Sequence, residues 1–94
     1  MISIEQAKHL SEEEIRKINP DKTLILESFS EFNEGWFFYF TSKKYLETHN
    51  VLDRIVGLGP IIIGKETGAV FHAGSAFEEE YWIDKFRQFI QKKP

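Results

Sequence analysis

The fold of this chain is decided by one short stretch, Gly35-Trp36-Phe37-Phe38-Tyr39-Phe40-Thr41, in which five aromatic residues follow one another. The run is too apolar for a solvated loop and far shorter than the about 20 residues that a membrane-spanning helix needs. Because aromatic residues favour a pleated surface, it predicts a β-strand. Alternation places Trp36, Phe38 and Phe40 on one face and Phe37 and Tyr39 on the other. Both faces are apolar, so we expect a central strand that is covered on both sides.

The composition is that of a globular protein, with 41% hydrophobic and 29% charged residues among 94. We therefore expect a single domain over residues 1–94. The sequence contains no cysteine, which excludes disulfides and thiolate zinc sites. The first ten residues lack the basic and apolar regions of a signal peptide, so we expect a cytoplasmic protein. A net charge of −3 argues against a nucleic-acid partner, and no stretch indicates a membrane partner.

Two helices are predicted at the ends of the chain. Ser3 and Gln6 form a capping box ahead of apolar residues at helical spacing, which predicts a helix over residues 4–18 or a restart near Ser11. A second capping box, Ser75 to Glu78, predicts a helix over about residues 76–91. We expect its aromatic stripe to pack into the core; the stripe consists of Phe77, Tyr81, Trp82, Phe86, Phe89 and Ile90.

The strands are predicted as two hairpins. Residues 23–29 should pair with the Gly35 to Thr41 strand, and Ile61 to Ile63 with residues 69–73 across a turn in which Gly68 is left-handed. Residues 42–59 are irregular, and part of this segment is predicted to be helical. The fold class is α+β, a four-stranded antiparallel sheet with an N-terminal and a C-terminal helix. We expect both helices on one face and residues 46–58 on the other.

No arrangement of residues predicts an enzyme, a cofactor or a metal site. There is no G-x-S-x-G motif, and the three histidines have neither HxH nor HExxH spacing. The acidic runs of residues 12–14 and 78–80 lie on predicted helices, where successive side chains point about 100° apart and do not converge. One alternative stays open: a small enzyme or ligand binder would need a pocket in which His72 meets a carboxylate.

Several short motifs follow one another along about residues 2–90. They are Gly35-Trp36-x-Phe38-x-Phe40, Ser42-x-x-Tyr45-Leu46-Glu47-Thr48, Gly57-x-Gly59-Pro60-Ile61-Ile62-Ile63, Lys65-x-Thr67-Gly68, Gly74-Ser75-Ala76 and Glu80-Tyr81. In this order they resemble the YrhB-like family, also called the immunity protein 35 family. These are small bacterial proteins, many of them predicted antidotes encoded beside polymorphic toxins. The chain departs from the family at Gly64, where Asp or Asn is usual, and at Phe77-Glu78, where a proline is common.

The resemblance implies a non-enzymatic immunity protein that binds and neutralises a cognate bacterial toxin, and it supplies no catalytic residues. Acidic surfaces speed the encounter with a basic partner, and function concentrates on long connections carried by a rigid sheet. The candidate partner-binding residues are therefore Glu47, His49, Asp53, Glu78, Glu79 and Asp84, with residues 12–14 as a further acidic cluster. We expect a monomer or weak homodimer. The alternative function is a housekeeping, chaperone-like or general protein-interaction module, because part of the aromatic surplus could stay exposed.

Overall fold

The computed structural model describes residues 1–20, 24–49, 59–74 and 77–91. In chain order the elements are α1 (Ile4–Ile18), β1 (Leu24–Phe32), β2 (Gly35–Ser42), α2 (Lys43–Thr48), β3 (Ile61–Gly64), β4 (Val70–His72) and α3 (Glu79–Gln91). The predicted α+β class and the predicted order of helices and strands are confirmed. Part of the segment predicted to be irregular is helical, as α2.

Some predicted boundaries differ from the observed ones. Strand β1 continues to Phe32, beyond the predicted end at Phe29, and α3 begins at Glu79, after the predicted start near residue 76. Three predictions lie outside the described residues: the start of β1 at Thr23, the helix cap at Ser75, and residues 50–58 of the middle segment.

Helix α1 is one continuous helix that begins at the predicted capping box. The Ser3 hydroxyl accepts the backbone N–H of Gln6 at 3.2 Å, and the Gln6 side chain accepts the backbone N–H of Ser3 at 2.9 Å. The helix does not restart at Ser11, whose buried hydroxyl donates to the carbonyl of Lys8 at 2.7 Å. A serine inside a helix can bond back to the preceding turn in this way, so Ser11 does not act as the N-cap of a second helix.

The sheet has the order β1-β2-β3-β4, and every neighbouring pair is antiparallel. The aromatic stretch forms β2, which is central as predicted and buried along almost its whole length. Gly35 allows β2 to approach β3 closely, since a Cβ atom there would lie 2.3 Å from the carbonyl oxygen of Ile63. The glycine that begins the aromatic stretch is therefore required by strand packing.

Strand β1 contains a β-bulge between Leu26 and Ser28. Before the bulge, Leu26 is opposite Phe40; after it, Phe29 is opposite Phe38. Strict alternation would have put Leu26 and Phe29 on opposite faces. The extra residue at the bulge brings both onto the face of Phe38 and Phe40.

The two long helices cover opposite faces of the sheet. Helix α1 packs on the face that carries Trp36, Phe38 and Phe40, and α3 packs on the face that carries Phe37 and Tyr39. The expectation that both helices share one face is wrong. Each helix has a single apolar stripe, and a sheet that is apolar on both faces needs one such stripe on each. The predicted cover over Phe37 and Tyr39 is therefore provided by α3.

The turn between β3 and β4 has the predicted left-handed glycine, Gly68, at φ 73°. Gly64, where the family usually has Asp or Asn, ends β3 just before this turn and lies against α3. A Cβ atom at this position would be 3.0 Å from the ring of Phe86. The departure from Asp or Asn at this position thus lets the buried Phe86 ring approach the strand. Among the described residues, no helix is long and apolar enough to cross a membrane.

Candidate functional site

The first turn of α3 is attached to the β1–β2 hairpin through Glu79. Its carboxylate accepts hydrogen bonds from the Ser30 hydroxyl, at 2.8 Å, and from the Tyr39 hydroxyl. Burial of the phenol, together with the adjacent Glu79 carboxylate, raises the pKa of Tyr39. The hydroxyl therefore stays protonated over the physiological range and remains a donor to Glu79.

A second polar attachment holds the C-terminal half of α3. Arg87 donates two hydrogen bonds to Glu34, from Nε to Oε2 at 2.8 Å and from Nη2 to Oε1 at 3.0 Å. The pair lowers the pKa of Glu34 and raises the pKa of Arg87, chiefly through these hydrogen bonds. Glu34 belongs to the turn between β1 and β2, so α3 is joined at both ends to the same hairpin.

The outward side of α3 lies opposite its buried apolar stripe. The buried stripe is centred on Phe86, which is fully buried. Tyr81 precedes Phe86 by five positions and so lies about 140° away around the helix axis. It is 38% exposed, and Phe77, ahead of the helix, is 58% exposed. The prediction that Phe77 and Tyr81 belong to the core stripe is wrong; the inward side chains of α3 are Trp82, Ile83, Phe86, Phe89 and Ile90.

The two outward aromatic rings stack on each other. Their centroids are 4.2 Å apart and their planes are tilted by 29°. The Lys85 ammonium lies 5.4 Å from the centroid of the Tyr81 ring. Glu80 and Asp84 are exposed on the same outer side of the helix, one turn apart. An acidic and aromatic surface thus covers the N-terminal half of α3.

Three of the candidate partner-binding residues belong to this region. Glu78 is exposed just before the helix, and the Asp84 side chain is 73% exposed, with Oδ1 3.8 Å from Nη1 of Arg87. Glu79 differs from them because its carboxylate is occupied by Ser30 and Tyr39. Its structural role is to position α3.

The candidates in the middle segment lie at the end of α2. Glu47 and His49 are both exposed, and His49 caps the helix with φ 54°. Helix α2 begins directly after Ser42, three residues beyond Tyr39, which is about 10 Å along a strand. Both α2 and the start of α3 are therefore attached near the same end of β2. Asp53 lies outside the described residues.

The other acidic cluster, residues 12–14, is on α1 and hence on the opposite side of the sheet. Glu14 is 2.7 Å from His72 Nε2 and 3.4 Å from Lys17 Nζ. The hydrogen bond to His72 is the main cause that lowers the pKa of Glu14. Glu13 lies 2.6 Å from His9. These carboxylates have basic neighbours from the same chain and do not join the α3 surface.

His72 does meet a carboxylate, but on the surface. The pair with Glu14 joins β4 to α1, and the His72 side chain is 47% exposed. A cavity of about 560 Å³ lies between the β3–β4 turn and the end of α3, and one of about 150 Å³ lies beside Leu24 and Phe40; neither includes this pair. Within residues 1–20, 24–49, 59–74 and 77–91, no group of three His, Cys, Asp or Glu residues could hold a metal ion.

Sequence reasoning missed Phe77 and Tyr81 as surface residues. Their apolar character placed them in the core stripe, although the helical angle between Tyr81 and Phe86 already puts Tyr81 outside it. For Phe77 no such angle can be read from the sequence, because the sequence does not show that α3 begins only at Glu79. The predicted acidic surface of residues 78–80 and Asp84 therefore also carries two exposed aromatic rings.

Fold and surface together define a class: a small α+β protein whose described part presents an acidic and aromatic helix face, with that helix hydrogen-bonded to the β1–β2 hairpin. The chain belongs to the immunity protein 35 family, whose family model matches residues 5–85. It is also 34% identical over 65 residues to "Uncharacterized protein YrhB" of Escherichia coli strain K12, an alignment covering 68% of this chain and 69% of that protein. No solved structure matches the chain. The motif resemblance is confirmed, and membership of an immunity protein family implies toxin immunity by a protein that is not an enzyme.

Proposed function

We propose that the chain neutralises a cognate bacterial toxin by binding to it directly. The observation that carries this proposal is the family match over residues 5–85. Inhibition by binding needs a stable scaffold and a complementary surface and requires no chemistry of its own. We place the encounter in the cytoplasm, since a sequence without cysteine shows no adaptation to an oxidising compartment.

The structure of α3 supports this proposal. Its first turn is held by Ser30 and Tyr39 through Glu79, and its last turns by Glu34 through Arg87. A surface that is already ordered before binding loses less conformational entropy when the complex forms. The α3 face is therefore better prepared for tight binding than a mobile loop of the same composition.

The proposed contacts keep the residues chosen from the sequence, in two groups. The first consists of Glu78, Glu79 and Asp84, of which Glu79 also positions the helix through Ser30 and Tyr39. The second consists of Glu47, His49 and Asp53 in the middle segment. The protein acts as a monomer or weak homodimer in this proposal, which sedimentation of the purified chain tests.

Co-expression tests the proposal. The chain is co-expressed with a candidate toxin encoded by a neighbouring gene, in cells that this candidate alone kills. We expect growth to be restored and the two proteins to purify together as a complex. Continued killing, with no complex recovered, would overturn the proposal.

A second candidate function has one observation in its favour. Phe29, Phe77 and Tyr81 are 54%, 58% and 38% exposed, and exposed aromatic surface can hold unfolded proteins. A chaperone-like module should suppress the aggregation of an unrelated enzyme during heating at equimolar ratio. If the chain protects cells against one toxin but does not suppress the aggregation of the unrelated enzyme, the immunity function is favoured.

A further inference from the structure

The stacked pair Phe77 and Tyr81 is the largest apolar feature on the outer side of α3. Both rings are exposed, by 58% and 38%, and they stack at 4.2 Å. The Trp82 ring also contacts the Tyr81 ring edge-on, with the ring centroids 4.9 Å apart. The pair is thus a preformed aromatic stack rather than two independent side chains.

The charges around this pair are mainly negative. Glu78, Glu80 and Asp84 are exposed at positions next to the two aromatic residues in the chain or one helical turn away. Two cations are also near: Lys85 lies over the Tyr81 ring, and Arg87 Nη1 lies 3.8 Å from Asp84 Oδ1. Aromatic ring faces and carboxylates attract the same kind of group, a cation with a flat or compact head. Arginine meets both requirements, since its guanidinium stacks on rings and bonds carboxylates in pairs.

The position of Lys85 gives independent support. Its ammonium lies 5.4 Å from the centroid of Tyr81, within the range of a cation–π contact. In the free protein the exposed ring face is therefore already used by a cation from the chain itself. An arginine of the partner can take this place, with Lys85 moving aside on its flexible side chain.

We propose that Phe77 and Tyr81, with Glu78, Glu80 and Asp84 around them, form the surface that receives a basic patch of the toxin, with an arginine seated on the rings. This inference rests on the proposed function and specifies where the contact is made and which partner chemistry it fits. The aromatic pair provides most of the affinity, because buried aromatic anchors dominate interfaces. The carboxylates act mainly on the rate of encounter.

Binding of the toxin to immobilised wild-type and variant chains tests the aromatic part. Phe77→Ala combined with Tyr81→Ala should weaken binding by about tenfold or more, chiefly through faster dissociation. Phe29→Ala is the matched control, since Phe29 is an exposed aromatic residue on the opposite face of the sheet. It should leave the dissociation rate unchanged. Thermal unfolding of each variant verifies that the fold is retained.

The charged part is tested with two further variants. Glu80→Gln combined with Asp84→Asn should slow association and reduce its dependence on salt. Glu5→Gln combined with Glu66→Gln, which removes the same number of exposed charges elsewhere, should not. Lys85→Gln should strengthen binding, because it removes the cation that competes for the Tyr81 ring. Weaker binding of the Lys85 variant would contradict the seating of an arginine on this ring.

The outcomes separate the two proposals. If the wild-type chain binds the toxin and the variant at Phe77 and Tyr81 binds it equally well, the assignment of the interface to the α3 surface is wrong. The proposed immunity function is then unaffected. If the wild-type chain neither binds nor protects, both proposals are overturned. Loss of binding in the aromatic variant, with the Phe29 control intact, supports the surface.

Discussion

Arg87 holds Glu34 with two parallel hydrogen bonds, Nε to Oε2 at 2.8 Å and Nη2 to Oε1 at 3.0 Å, and so joins α3 to the turn between β1 and β2. Arg87→Lys should lower the free energy of unfolding, because lysine cannot make the paired contact; the effect should be small, since the pair is partly exposed. Urea unfolding measures this effect. Gln88→Lys, at the neighbouring exposed position, is the control and should change stability by less than about 0.5 kcal/mol.

The same pair predicts how stability depends on acid. The pKa of Glu34 is lowered from its ordinary value of 4.5 in the folded state, mainly by the Arg87 hydrogen bonds. The folded state therefore binds this proton less readily than the unfolded state, so the stabilisation is present above pH 4.5 and is lost as the pH falls through the folded pKa. Glu14, whose pKa is lowered by His72, adds to the same loss. Urea unfolding between pH 7 and pH 3 should show a shallower decline for Glu34→Gln than for the wild type; an equal decline would contradict the assignment.

Tyr39 predicts a loss of stability in alkali. Burial and the Glu79 carboxylate raise its pKa above the ordinary value of 10.0. Its contribution to stability is complete below pH 10 and decreases as the pH rises toward the folded pKa, because only the unfolded state then releases the proton. Absorbance titration at the tyrosinate band should show that one of the three tyrosines ionises late. Tyr39→Phe should remove that component, and its persistence would assign it to another tyrosine.

Substitution of Trp36 tests the hydrophobic core between α1 and the sheet. Its side chain is only 6% exposed and packs in the cluster beneath α1. Trp36→Ala should lower the free energy of unfolding by about 3–5 kcal/mol, through lost burial and the cavity left behind. Phe29→Ala, on the same face but 54% exposed, should cost about 1 kcal/mol or less. A loss below about 1 kcal/mol for Trp36→Ala would show that the residue does not belong to the core.

Most of the secondary structure was predictable because its signals are local. The capping box at Ser3, the alternation along β2 and the left-handed Gly68 each depend on a few neighbouring residues, and all three are confirmed. The bulge between Leu26 and Ser28 was not predictable, since it depends on how β1 registers with β2. The pairing of Glu79 with Ser30 and Tyr39 joins residues 40 or more positions apart, and nothing in the local pattern indicates it.

The sequence by itself determined the elements and the family. Aromatic residues at consecutive positions required a central strand with apolar faces, and the ordered motifs along the chain pointed to the immunity protein 35 family that the family model confirms. Only the tertiary structure decided that α1 and α3 take opposite faces and that Phe77 lies outside the core, stacked on Tyr81. The physical reason is that a periodic pattern shows that a helix has an apolar side, whereas the direction of that side is set by the sheet and by long-range hydrogen bonds such as those of Glu79 and Arg87.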